Sequence, residues 1–94
     1  LPVMAERERL SIEELKRVGW RIKSVRSLTG LNQEEFALKS DISYMTLRNW
    51  EFGRALPRPD GINRILSGLA SFNIQVMPEW IIFGEGSGPV LSKN

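Results

Sequence analysis

Asn32-Gln33-Glu34-Glu35-Phe36-Ala37-Leu38-Lys39-Ser40-Asp41-Ile42-Ser43-Tyr44-Met45-Thr46-Leu47-Arg48-Asn49-Trp50-Glu51-Phe52-Gly53 is the stretch whose reading decides the fold. Asn32 is an N-cap residue, and Glu35 three positions on completes a reciprocal cap. The helix that follows has Phe36, Ala37 and, one turn later, Ser40 on its core face. Ser43 caps a second helix whose inward residues are expected to be Thr46, Leu47 and Trp50, and Gly53 closes it. Two helices of about eight residues joined by about three cannot lie antiparallel side by side, so they cross steeply. Ala37 is small where they cross, and Ile42, Leu47 and Trp50 are apolar where the pair must bury its inner surface.

On the N-terminal side, Ile12, Leu15, Val18, Ile22, Val25 and Leu28 recur every three or four residues and make one apolar helical face. Ser11 with Glu14 reads as a capping box at its start, Gly19 as a possible division, and Thr29-Gly30 as its end. On the C-terminal side, Leu56 to Pro59 reads as a loop. Ile62, Ile65, Leu66, Leu69 and Phe72 form the face of a fourth helix. Pro78 suits the first position of a fifth, which carries Trp80, Ile81 and Phe83. No stretch alternates like a strand. The expectation is an all-α domain of five helices over residues 19–84, with an N-terminal helical extension over 1–18 and a Gly-, Ser- and Pro-rich flexible tail or linker over 85–94.

Composition narrows the function classes. The 94 residues suffice for one small core, and 41% of them are hydrophobic, as in a soluble globular domain. No apolar run approaches the roughly 18 residues of a membrane span. The start of the chain, a short apolar piece followed by alternating charges, does not resemble a signal peptide. Cysteine and histidine are both absent. That removes disulfides, the usual zinc sites, Cys or Ser–His nucleophiles and the common general base near neutral pH, so no metal, no cofactor and no enzymatic activity is expected. The net charge is only +2, but residues 21–58 carry seven basic side chains against four acidic ones. The positive excess therefore lies on the segment that holds the helix pair, where it can meet a polyanion.

Asn32-Gln33-Glu34-Glu35-Phe36-Ala37, Asp41-Ile42-Ser43 and Trp50-Glu51-Phe52-Gly53, with a Trp-x-x-x-Gly-x-Gly ending from Trp80 to Gly86, resemble the helix-turn-helix domain of lambdoid phage repressors and Cro proteins, the XRE type. The resemblance covers about Trp20 to Gly84 and implies a lambda-repressor-like fold with the motif at its second and third helices. One departure stands out. The family usually has glycine at the turn, where φ is positive, and this chain has Asp41. Aspartate is among the few side chains that tolerate that region, at a cost of about 1 kcal/mol relative to glycine.

The resemblance also implies roles. Tyr44, Met45, Arg48 and Asn49, at the exposed start of the recognition helix, would enter the major groove. Arg48 suits guanine, Asn49 adenine, and Met45 and the Tyr44 ring a thymine methyl. Otherwise Tyr44 and Met45 pack against the domain and Arg48 holds a phosphate. Gln33 and Ser43 would meet phosphates, or act only as an early-helix residue and a cap. Arg54 and Arg58 would clamp phosphates, or else belong to a solvated loop, and Arg21 and Lys23 are weaker candidates of the same kind. Arg26 and Glu51 match a pair that forms a partly buried structural salt bridge in the family. The apolar group Ile74, Val76, Trp80, Ile81, Ile82 and Phe83 exceeds what one small helix needs, which points to core packing, to a two-fold dimer interface, or to both.

The function expected from all this is sequence-specific binding of double-stranded DNA by a cytoplasmic, nucleoid-associated transcription regulator. It would repress as a homodimer on a pseudo-palindromic operator. The alternatives are the antitoxin of a toxin–antitoxin pair and a protein-bridging adaptor. An enzyme ranks last, although Gly86-Ser87-Gly88-Pro89 would suit a linker to a further, self-cleaving domain.

Overall fold

The computed structural model describes residues 10–92. Five helices pack around one core: α1 (Ile12–Ser27), α2 (Gln33–Lys39), α3 (Tyr44–Glu51), α4 (Pro59–Ala70) and α5 (Pro78–Phe83). Two very short strands, β1 (Ile74–Gln75) and β2 (Val90–Leu91), pair antiparallel, with Ile74 opposite Leu91 and Gln75 opposite Val90. The mostly helical, lambda-repressor-like architecture agrees with the expected class. The strand pair is an addition to it, because strands of two residues are too short to show an alternating pattern.

Helix ends fall where the side chains supply the missing partners. Ser11 and Glu14 form a capping box at α1, and Asn32 and Glu35 form one at α2. Ser43 caps α3, its hydroxyl accepting from the Thr46 N–H at 3.1 Å. Prolines occupy the first positions of α4 and α5, where the absent N–H is not missed.

Val18, Ile22 and Val25 of α1, Phe36 and Ala37 of α2, Leu47 and Trp50 of α3, and Ile62, Ile65 and Leu69 of α4 form the core, joined by Ile74 and Ile81. Several expectations change here. Ile12 and Leu28, at the two ends of the α1 stripe, are exposed, while Val18, Ile22 and Val25 between them are buried. Thr46 is exposed as well, lying on the side of α3 where the Ser43 hydroxyl donates to its Oγ1 at 2.9 Å.

Gly19 does not divide α1; the helix runs straight through it. A Cβ there would come within 2.5 Å of the Trp50 carbonyl oxygen and 2.6 Å of that of Glu51, so glycine is what lets α3 cross α1 backbone to backbone. Residues 12–18 run without a break into residues 19–27 as one helix, and residues 1–9 of the expected extension lie outside the described residues. The expected flexible tail contains β2, and it passes close enough to Trp80 that a Cβ on Gly88 would lie 3.4 Å from the indole nitrogen.

Candidate nucleic-acid interface

The turn between α2 and α3 is built from the backbone outward. α2 ends in a paired-hydrogen-bond stop: the Ile42 N–H donates to the Ala37 carbonyl at 2.9 Å and the Asp41 N–H to that of Leu38 at 3.3 Å. That pattern requires a left-handed residue between them, and Asp41 has φ 57°. The aspartate thus adopts the conformation that the departure from glycine demanded. Arg64 of α4 steadies it, with Nη1 donating to the Asp41 carbonyl at 2.6 Å and to its carboxylate at 3.0 Å. Nothing in local spacing marked Arg64, since its partner lies 23 residues away.

Leu47 and Trp50 anchor the inner side of α3 in the core. Because a helix repeats every 3.6 residues, Tyr44, Met45, Arg48 and Asn49 then fall on the opposite side. Tyr44 and Met45 are exposed, and Arg48 and Asn49 are half-buried. Ser43, Arg54 and Arg58 are exposed. The four residues expected to meet bases thus share the side of α3 that faces away from the core, and three of the four expected to meet phosphates are exposed.

Behind this face lies a closed network. The Arg26 guanidinium grips Glu51 with Nε to Oε2 at 2.8 Å and Nη2 to Oε1 at 3.0 Å, and its Nη1 donates to the Leu31 carbonyl at 2.9 Å. The Glu51 side chain is only 3% exposed and that of Arg26 11%. A third donor completes the site: Gln33 Nε2 reaches Glu51 Oε1 at 2.9 Å. Gln33, expected to face a phosphate, has therefore committed part of its amide to the interior. The network ties α1, α2 and α3 at one carboxylate.

Arg21 is a correction. Its Nε donates to the Ile81 carbonyl at 2.8 Å and Nη2 to the Ile82 carbonyl at 3.1 Å, so it caps the last turn of α5 and is not free for a phosphate. Burial, and then the charge of Arg17, holds its pKa below the ordinary guanidinium value. Lys23 remains exposed and lines a shallow cleft with Gln33, Glu51 and Phe52.

The apolar group at the C-terminal end divides. Ile74 and Ile81 are buried in the domain's own core and offer no surface to a second copy. Val76, Trp80 and Ile82 are half-buried and Phe83 is exposed. Met77, which no periodic pattern singles out, is exposed beside them.

Two short helices joined by a tight left-handed turn, the second anchored on one side by Leu47 and Trp50 and presenting Tyr44, Met45, Arg48 and Asn49 on the other, with exposed arginines just beyond it, have the organisation of a helix-turn-helix DNA-binding domain. A family model described as helix-turn-helix matches residues 22–70, more than half of the chain, and the protein belongs to this Cro/C1-type, XRE family of sequence-specific DNA-binding transcription regulators. No curated protein and no solved structure gives a significant match. No helix among the described residues is long and apolar enough to cross a membrane.

Proposed function

We propose that the protein is a cytoplasmic, nucleoid-associated repressor that occupies a pseudo-palindromic operator as a homodimer, with α3 in the major groove. The observation that carries this reading is the two-sidedness of α3: Leu47 and Trp50 lock one side to the core while Tyr44, Met45, Arg48 and Asn49 stand on the other. Arg48 forks onto a guanine edge, Asn49 onto an adenine, and Met45 and Tyr44 pack on thymine methyls. The Ser43 hydroxyl, Arg54 and Arg58 hold phosphates and fix the register. Gln33 joins them through the amide hydrogen that Glu51 does not take.

The dimer forms through Val76, Trp80 and Phe83, with Met77 at their edge. It sets two copies of α3 about 34 Å apart, one turn of B-DNA. Removal of the Phe83 ring as a charged variant, Phe83→Glu, then yields monomers by sedimentation and weakens operator binding, leaving the fold intact because Phe83 is exposed. A Phe83→Glu protein that stays dimeric places the interface elsewhere. Insertion of about five base pairs between half-sites puts them on opposite faces of the duplex and removes tight binding by the wild-type dimer. Tight binding that survives the insertion contradicts the two-fold arrangement.

A further inference from the structure

Phe52 is a large apolar ring left 53% exposed at the edge of the DNA-facing side, where burial would ordinarily favour hiding it. Two cations lie over the ring: the Arg48 guanidinium is 5.5 Å from its centroid and that of Arg54 is 4.9 Å from it. Both distances fall within cation–π range. Among the described residues neither guanidinium has a hydrogen bond or an ion pair to the protein. We propose that Phe52 is a positioning residue for DNA recognition, a ring that holds Arg48 and Arg54 side by side in the orientation in which they meet DNA. This rests on the DNA-binding reading above.

The backbone explains why the ring can do this. Phe52 is the C-cap of α3. The chain then reverses through Gly53, with φ 78°, whose N–H donates to the Trp50 carbonyl at 3.0 Å, while the Arg54 N–H donates to the Asn49 carbonyl at 2.9 Å. These two bonds bring Arg54 back beside the helix end, so that Arg48, one turn before Phe52, and Arg54, two residues after it, both lie over one ring. Gly53 also packs on Lys16, where a Cβ would come within 2.9 Å of the Lys16 Cα, and this fixes the reversal against α1.

Stacking suits the task because it engages the flat face of a guanidinium and leaves the in-plane N–H groups free for a guanine edge or a phosphate. An unstacked arginine loses most of its rotamer freedom on binding. A stacked one has already lost part of it, and that difference appears as affinity.

The test compares Phe52→Leu, which keeps an apolar side chain but removes the ring face, with Phe52→Tyr, which keeps it. Each is titrated by fluorescence anisotropy, over a range of salt, against the duplex that wild-type protein selects from a random pool and against a scrambled duplex. The expected result is about three- to tenfold weaker binding of Phe52→Leu to the selected duplex. Wild-type-like binding of Phe52→Tyr and an unchanged slope of log affinity against log salt go with it, because no charge is lost. The unchanged slope separates positioning from loss of fold, and the melting temperature of each variant should match the wild type. In an Arg54→Ala background the Phe52→Leu effect should shrink, because one of the two stacked cations is gone.

Wild-type-like binding by Phe52→Leu overturns the inference and leaves the DNA-binding reading in place. A Phe52→Leu loss that is fully additive with Arg54→Ala overturns it too, by showing that the ring acts on DNA independently of that arginine. If wild-type protein itself fails to prefer any duplex, the DNA-binding reading falls and this inference falls with it.

Discussion

Arg26 and Arg21, in the C-terminal half of α1, direct their donors inward: one to the Glu51 carboxylate and the Leu31 carbonyl, the other to the Ile81 and Ile82 carbonyls of α5. Arg48 and Arg54, at the outer end of α3, rest against Phe52 and hydrogen-bond to nothing in the protein among the described residues. The residue type is the same, and only the surroundings differ. Where buried acceptors converge, an arginine fastens helices together. Where the chain offers only a ring face, its donors stay available to an outside anion. The inner pair therefore belongs to stability and the outer pair to binding, and the two properties should separate cleanly under mutation.

The largest effect should come from the inner region. Glu51→Ala leaves Arg26 buried without its partner and strips Gln33 of an acceptor, so we expect a loss of about 3–5 kcal/mol in urea unfolding. Arg26→Ala should cost a similar amount. A loss below 1 kcal/mol for both would erase the proposed contrast. Gly19→Ala should come next. The gain in helix propensity is about 1 kcal/mol, but the added methyl meets two α3 carbonyls, a close-packing cost of about 3 kcal/mol at the upper end of the overpacking range. A net destabilisation of about 2 kcal/mol is expected, read from the same unfolding curves.

At the outer region the sign of the experiment reverses. Arg48→Ala should alter stability by no more than about 0.5 kcal/mol yet cost about 1–3 kcal/mol at the selected duplex. Arg54→Ala should weaken binding to all sequences alike and lower the salt slope by about one. An Arg48→Ala protein that unfolds readily would place that arginine in the structural class.

The smallest effect is a pH dependence at the start of α1. The Ser11 backbone N–H donates to Glu14 Oε1 at 2.8 Å, and this bond first, then the neighbouring Ser11 side chain, holds the Glu14 pKa below the ordinary glutamate value. A depressed carboxylate pKa contributes stability above the unfolded-state pKa and loses it as pH falls through the folded one. Faster amide exchange in the first turn of α1 should therefore appear only on acidification below the ordinary glutamate range. In Glu14→Gln that acid step should vanish.

The parts of the fold written in short-range spacing were legible. The caps at Ser11, Asn32 and Ser43, the small Ala37 at the crossing and the reversal at Gly53 each follow from residues a few positions apart, and the structure places them accordingly. The left-handed turn at Asp41 was legible for the same reason, though its brace from Arg64 was not. What escaped were contacts across the chain. Arg21 carries a charge that reads as surface, but its acceptors lie 60 and 61 residues away. Thr46 sits on a helix too short for periodicity to tell inside from edge. Ile74 and Ile81 belong to an apolar surplus whose sequence cannot divide core from surface, and the pairing of Ile74–Gln75 with Val90–Leu91 rests on strands too brief to alternate. The outward face of α3 was legible as a set of residues; the Phe52 ring that two of its neighbouring arginines share was not.

The most direct test of the central claim is to incubate the wild-type protein with a randomised duplex pool, sequence the retained fraction and repeat at several salt concentrations. The account predicts a pseudo-palindrome with half-sites one helical turn apart, retained at physiological salt. Binding that enriches no sequence and disappears by about 200 mM salt would leave only a phosphate attraction, and would contradict a base-reading role for α3.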